Sequence, residues 1–156
     1  MRRIFLDMEY WFSGMSSTSG RPTSNDDRHI VQIAAIKTDD DNELDHMDIL
    51  VAGAVPSFFT ELTGITQHDI DAMGIPIDTA VQQLTDFCED YTVWIFDKDL
   101  EVIQQNCAAH GIEFEIIHNK FIRVKPLLGK YGVSGDYCMQ RESVSDNWRQ
   151  YDWTCA

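Results

Sequence analysis

A mixed α/β layered domain is the fold class that this 156-residue sequence predicts, and two observations carry the prediction. The first third is written in strand-like runs of apolar and β-branched residues, while the middle repeats apolar residues at helical spacing. Those signals come in the order of three strands, two helices, a strand, a helix, a strand and a helix, which suits a sheet flanked by helices. The length fits a single domain.

Residues 3–8 read as the first strand, with Ile4, Leu6 and Met8 on one face and Phe5, Asp7 and Glu9 on the other. Residues 13–27 are rich in Ser, Gly, Thr and Asp and read as a loop. Residues 29–37 are a β-branched run, a largely buried second strand. Asp39-Asp40-Asp41-Asn42 makes a turn, and residues 43–51 return as a third strand, so the three form an antiparallel meander. Pro56-Ser57 opens a short helix through Leu62. Pro76 opens another, with Ala80, Val81, Leu84, Phe87 and Cys88 at helical spacing. Tyr91 to Phe96 is a short buried strand. Asp97 or Asp99 opens the next helix, whose apolar face is Leu100, Ile103 and Cys107, and Gly111 ends it. Phe114 to Ile117 reads as the last strand. Beyond Arg123 the pattern is interrupted by Pro126, Gly129, Gly132 and Gly135, and a final helix is expected around residues 139–153.

The composition excludes several classes. No stretch of about 18 apolar residues is present, which argues against a transmembrane helix. The start Met1-Arg2-Arg3-Ile4-Phe5-Leu6-Asp7 reaches an acid before any apolar run and does not read as a signal peptide. Cys88, Cys107, Cys138 and Cys155 are widely spaced with no C-x-x-C pair, so reduced thiols in a cytoplasmic protein are expected rather than disulfides or a zinc site. A net charge of −14 opposes general affinity for nucleic acid. The charge is uneven, however. Residues 1–116 hold 22 acids against 6 Lys and Arg, and residues 117–156 hold 4 against 6. Lys120, Arg123, Lys125 and Lys130 therefore form either a solvated surface or a local phosphate-contacting strip.

The chemistry centres on Asp7 and Glu9. Two residues apart on a strand, their carboxylates share one face. Like charges side by side repel, and a divalent cation offers the compensation because hard cations take oxygen ligands. An exposed strand-end pair is the alternative for D-x-E alone. Two further segments add to it: Leu62-Thr63-Gly64-Ile65, and Trp94-Ile95-Phe96-Asp97-Lys98-Asp99-Leu100 with the helix after it.

Together the three segments resemble the DEDD superfamily of 3′–5′ exonucleases, whose fold is ribonuclease-H-like, over roughly residues 3–110. The resemblance implies a mixed sheet of about five strands flanked by helices. It implies Asp7 and Glu9 as metal ligands, with Asp99 as the second-motif acid and Asp97 as its rival. It also implies that Leu62, Thr63 and Ile65 line the cleft against the terminal base and sugar. Tyr10 and Trp11, next to the acid pair, offer rings to a base. The family's third motif, H-x-A-x-x-D or Y-x-x-x-D, is degenerate here, because no histidine follows His118. Its nearest match is Arg141-Glu142-Ser143-Val144-Ser145-Asp146, with Asp146 as fourth acid. Asn147 to Asp152 is the second match.

The implied reaction is phosphodiester hydrolysis with two divalent ions, Mg²⁺ or Mn²⁺, held by four carboxylates. The family's histidine acts as general base. Arg141 cannot, because it stays protonated, but it can hold a phosphate oxygen. His110 and His118 are the remaining candidates for a base. Three readings follow. The first is a metal-dependent exonuclease acting on single-stranded DNA or RNA 3′ ends or short oligonucleotides. The second is a weakened or inactive member of the fold serving as a binding module. The third is an acidic protein that docks on a basic partner. A homodimer or a protein partner is compatible with each.

Overall fold

The structure is a computed structural model describing residues 2–12, 27–40, 42–114 and 121–130. Three long strands come first: β1 (Arg2–Phe12), β2 (Arg28–Asp39) and β3 (Asn42–Leu50). Three helices follow, α1 (Ser57–Thr63), α2 (Gln67–Met73) and α3 (Ile77–Cys88). The chain then runs through β4 (Thr92–Ile95), α4 (Asp99–His110), β5 (Phe121–Arg123) and α5 (Val124–Lys130). The five strands form one mixed sheet in the order β3-β2-β1-β4-β5. β1, β2 and β3 are the expected antiparallel meander, while β4 and β5 join β1 in parallel. The α/β class and the ribonuclease-H-like sheet read from the sequence are those observed. The chain divides into two compact units, Met1–Val124 and Lys125–Ala156.

Period-2 alternation sets the layers. Ile4, Leu6 and Met8 are buried, and Ile33, Ala35, Ile49 and Val93 join them in the main core. Ala80, Val81, Leu84 and Cys88 of α3, with Val102, Ile103 and Cys107 of α4, close it on that face. Cys88 and Cys107 are free thiols, and burial pushes the Cys107 thiol up from its ordinary value.

A second, smaller cluster lies across the sheet. Glu9 pairs with Gln32 and Tyr10 with Ile30, so Val31 is the extra residue of a bulge. The bulge sends Val31 away from the main core and against Phe59 of α1 and Ile70 of α2, with Trp11, Leu50 and Ile65 around them.

Three expectations need correction. α2 has no counterpart in the reading of the sequence. It is started by a capping box in which the Thr66 hydroxyl accepts from the Asp69 amide at 3.2 Å and the Asp69 carboxylate accepts from the Thr66 amide at 2.9 Å. Among the described residues the last strand is Phe121–Arg123, and Phe114 lies outside any strand. Residues 115–117 and the helix expected at 139–153 fall outside the described residues. Finally, Pro126 does not end a segment. It stands in the first turn of α5, where its missing N–H breaks no intrahelical bond. Among the described residues no helix is long and apolar enough to cross a membrane.

Candidate active site

Parallel pairing brings the acids together. Leu6 pairs with Ile95, so Asp7, midway along β1, follows the last pair beside the point where β4 ends. Three residues beyond Phe96, Asp99 opens α4. Its side chain is buried, only 6 % exposed. Burial, and secondarily the nearby Asp7 carboxylate, push its carboxyl from the usual 3.8 up to about 7. Backbone amides of Asp99, Asp97 and Phe96 donate to it and work in the opposite direction. Asp97 is half-buried in the bend before the helix. Asp99 is thus held inside and within electrostatic reach of Asp7.

Asp7 and Glu9 occupy the face opposite the main core, as alternation requires. Asp7 is exposed and Glu9 half-buried, between buried Leu6 and Met8. The segment after α1 belongs to this same side of the sheet, since Ile65 packs on the Val31 cluster. Gly64 adopts the left-handed conformation at φ 82° and caps α1 through its N–H to the Thr60 carbonyl at 2.8 Å. The Thr63 hydroxyl donates to the Phe59 carbonyl at 2.9 Å and accepts from the Ile65 amide at 3.2 Å, which fixes the turn. Leu62 is 53 % exposed, an apolar side chain on a segment that is pinned at its turn.

Tyr10 and Trp11 part company. Tyr10 follows Met8 by alternation and packs against the main core, away from the face of Asp7 and Glu9. Burial raises its hydroxyl above the ordinary value. Arg28 opposes that shift, while Asp99, Asp97 and Glu101 add to it. The hydroxyl thus sits among the charges of the β4–α4 junction rather than presenting a ring to the acid pair. Trp11 is on the acid side, stacked on His29 with ring centroids 4.1 Å apart and donating from Nε1 to the Ala54 carbonyl at 3.0 Å.

Two charged residues near Tyr10 escaped the reading of the sequence. Glu101, in the first turn of α4, accepts from Arg123 of β5 at 2.5 Å. Glu101 Oε2 and Arg28 Nε are buried with no hydrogen-bond partner among the described residues. Neither residue carries a local motif, because their influence on Tyr10 depends on β1, β2 and α4 coming together.

The donor chemistry suits a hard divalent cation in part. Asp7 and Asp99 are carboxylates whose mutual repulsion a cation would relieve. Among the described residues no three acid, histidine or cysteine side chains are grouped closely enough to hold one. Asp146, Asp152 and Arg141, together with His118, lie outside the described residues. His110, at the end of α4, is exposed.

The fold is similar to that of solved DEDD 3′–5′ exonucleases. The nuclease domain of 3′hExo, described as a DEDDh family member and solved with rAMP, matches with a TM-score of 0.69 at 14 % identity over 84 % of this chain and 70 % of that one. The 3′-exonuclease solved in recognition of a histone mRNA stem-loop matches at 0.69 and 15 %, over 85 % of this chain and 49 % of the other. Exonuclease I of E. coli, in complex with single-stranded DNA, matches at 0.62 and 15 %, over 81 % of this chain and 28 % of that enzyme. The chain therefore spans about half of the histone-mRNA enzyme and less than a third of exonuclease I. No family profile and no curated protein matches the sequence. The likeness defines the exonuclease fold.

Proposed function

We propose that this chain is a metal-dependent 3′–5′ exonuclease domain that hydrolyses phosphodiester bonds from the 3′ ends of single-stranded DNA or RNA, or of short oligonucleotides. The observation that carries the proposal is Asp99. It is a buried acid at a helix start, held up at about 7 by burial and by Asp7, in a fold shared with exonucleases. Burying a carboxylate against another is unfavourable, and such sites concentrate where function needs them. Asp7, Glu9 and Asp99 would hold the ions, with Asp146 as fourth ligand in preference to Asp152. Two Mg²⁺ or Mn²⁺ ions about 3.5–4 Å apart would supply water activation and stabilise the leaving oxygen. Leu62, Thr63 and Ile65 would seat the terminal nucleotide, Leu62 offering exposed apolar surface to its base. Arg141 would hold a phosphate oxygen. Tyr10 would act from behind, its hydroxyl among the acids of the junction.

A 3′-extended single strand labelled at its 5′ end, as DNA and as RNA, provides the test with Mn²⁺. The wild-type chain is expected to shorten it from the 3′ end, and Asp7→Asn to slow that by about 10²-fold or more while remaining folded. An Asp7→Asn chain as active as wild type would sink the assignment. The missing motif-three histidine favours a second reading, a fold that binds without turnover. Mn²⁺ binding that depends on Asp7 but produces no shortening, with either nucleic acid, would select it.

A further inference from the structure

Among the described residues β3 is an edge strand open on its outer side. It ends the sheet order and pairs there only with β2. From Asn42 to His46 it is exposed on both faces, so this part of the β2–β3 ribbon overhangs the core. At its far end the edge is already taken. The Leu50 carbonyl accepts from the Ile75 amide at 2.9 Å, and Val51 forms a parallel bridge to Ile75. Between Asn42 and Asp48, no strand lies alongside among the described residues. A row of backbone donors and acceptors of this kind is a template for another chain.

Charge selects which chain. β3 carries Glu43, Asp45 and Asp48, and residues 39–48 hold six acids and no Lys or Arg. Among the described residues none of the three β3 acids meets a Lys or Arg. Glu43 lies 3.3 Å from His46, and Asp48 accepts from Gln32 at 2.7 Å. Lys37, across the ladder from Asp45 on the same face, is engaged elsewhere, with Nζ 4.6 Å from the Phe87 ring centroid and 3.9 Å from Glu89. A second copy of β3 would bring acids opposite acids, which destabilises cross-strand pairs. Leu44, 55 % exposed, adds one apolar contact to an otherwise acidic edge.

We infer that the Asn42–Asp48 edge is a docking site for an extended, Lys- or Arg-rich segment of a partner protein, added to the sheet as a sixth strand beside β3. Backbone pairing supplies the fit, and alternate basic side chains meet Glu43 and Asp48, which the register shift beside Lys37 places on one face, with Asp45 on the other. The inference is independent of phosphodiester cleavage.

The probe is a capped heptapeptide of alternating Lys and Val, titrated into the full chain, with affinity and amide hydrogen exchange as readouts. Binding is expected to slow exchange at β3 amides and to weaken with salt, since exposed charges are screened beyond about 10 Å at 0.1 M. Glu43→Lys with Asp48→Lys, two acids on one face, is expected to weaken it by about 10-fold or more. The control pair Asp78→Lys with Asp86→Lys, on the exposed side of α3, is expected to leave it unchanged. Circular dichroism checks that both variants fold. Binding lost equally in both pairs, or binding without protection of β3, would show mere adhesion to an acidic body and overturn the inference. A wild-type dimer by sedimentation that Leu44→Lys dissociates would give the edge to a second copy and overturn it too.

Discussion

β1 carries two unlike faces on one backbone. Ile4, Leu6 and Met8 are packed under α3 and α4 in the main core, whereas Phe5, Asp7 and Glu9, interleaved with them, remain at least partly open on the other side. The first face is where apolar area leaves water, and it is the source of stability. The second bears like charges that a folded chain gains nothing by collecting. The difference teaches that the acids are tolerated because the opposite face holds the strand rigid, so residues of adjacent number should differ sharply in what they contribute. Ile4→Ala is expected to lower unfolding free energy by about 3–4 kcal/mol, the range for emptying a fully buried aliphatic site. Phe5→Ala, at a residue 37 % exposed beside Trp94, is expected to lower it by about 1 kcal/mol. Urea unfolding of the two variants measures both, and equal losses would break the contrast.

Asp99 carries the same opposition into pH dependence. Its carboxyl titrates near 7 in the folded protein against 3.8 ordinarily, so between about pH 4 and 7 the folded state holds more protons than the unfolded one. Stability from this group therefore falls as pH rises through that window and stays low above it. The rise from 3.8 to about 7 corresponds to an upper bound of about 4 kcal/mol. Asp99→Asn keeps the shape and removes the charge. It is expected to raise stability by about 2 kcal/mol at pH 8 and to leave it unchanged at pH 4, as read by thermal or urea unfolding. If the variant is no more stable at pH 8, the carboxylate is not under the stress that its burial implies. A divalent cation reverses the sign, because it needs Asp99 ionised, so Mn²⁺ binding to the wild type should strengthen as pH rises towards 7 and level off beyond it.

Local patterns made most of this legible in the sequence. Alternation placed Asp7 and Glu9 together on one face, and β-branched runs with a turn of acids gave the meander. The Leu100, Ile103 and Cys107 face and the Gly111 stop gave α4. What the sequence hid was either non-local or overlooked. The charges around Tyr10 come from β2 and α4, which no spacing connects. The bulge at Val31 breaks the alternation of β2, so its dispatch to a second cluster needed the partner strand to be seen. By contrast, Tyr10 was readable. The same period that joins Asp7 to Glu9 assigns Tyr10 to Met8's face and Trp11 to the acids' face. The capping box of α2 was readable as well, since Thr66 and Asp69 stand at the required spacing.

That capping box gives the mildest test of the contrast between faces. α2 rests on the sheet through Ile70, within a cluster whose fully buried members are Val31, Phe59 and Ile70. So small a cluster has little apolar area to stabilise a seven-residue helix, and helices this short do not persist in water on propensity alone. The helix therefore depends on its first turn. The Thr66 hydroxyl accepts from the Asp69 amide and donates to the Asp69 carboxylate at 2.6 Å, and these contacts hold the Asp69 carboxyl below its ordinary value. Thr66→Ala removes the cap and is expected to lower global stability by about 1 kcal/mol. Hydrogen exchange should speed up most at the amides of α2 and remain slow in β1 and α4, because the smaller cluster can open without the main core. Uniform acceleration across both faces would mean that the two clusters unfold as one, and that the side bearing the acids is no softer than the side that holds the fold.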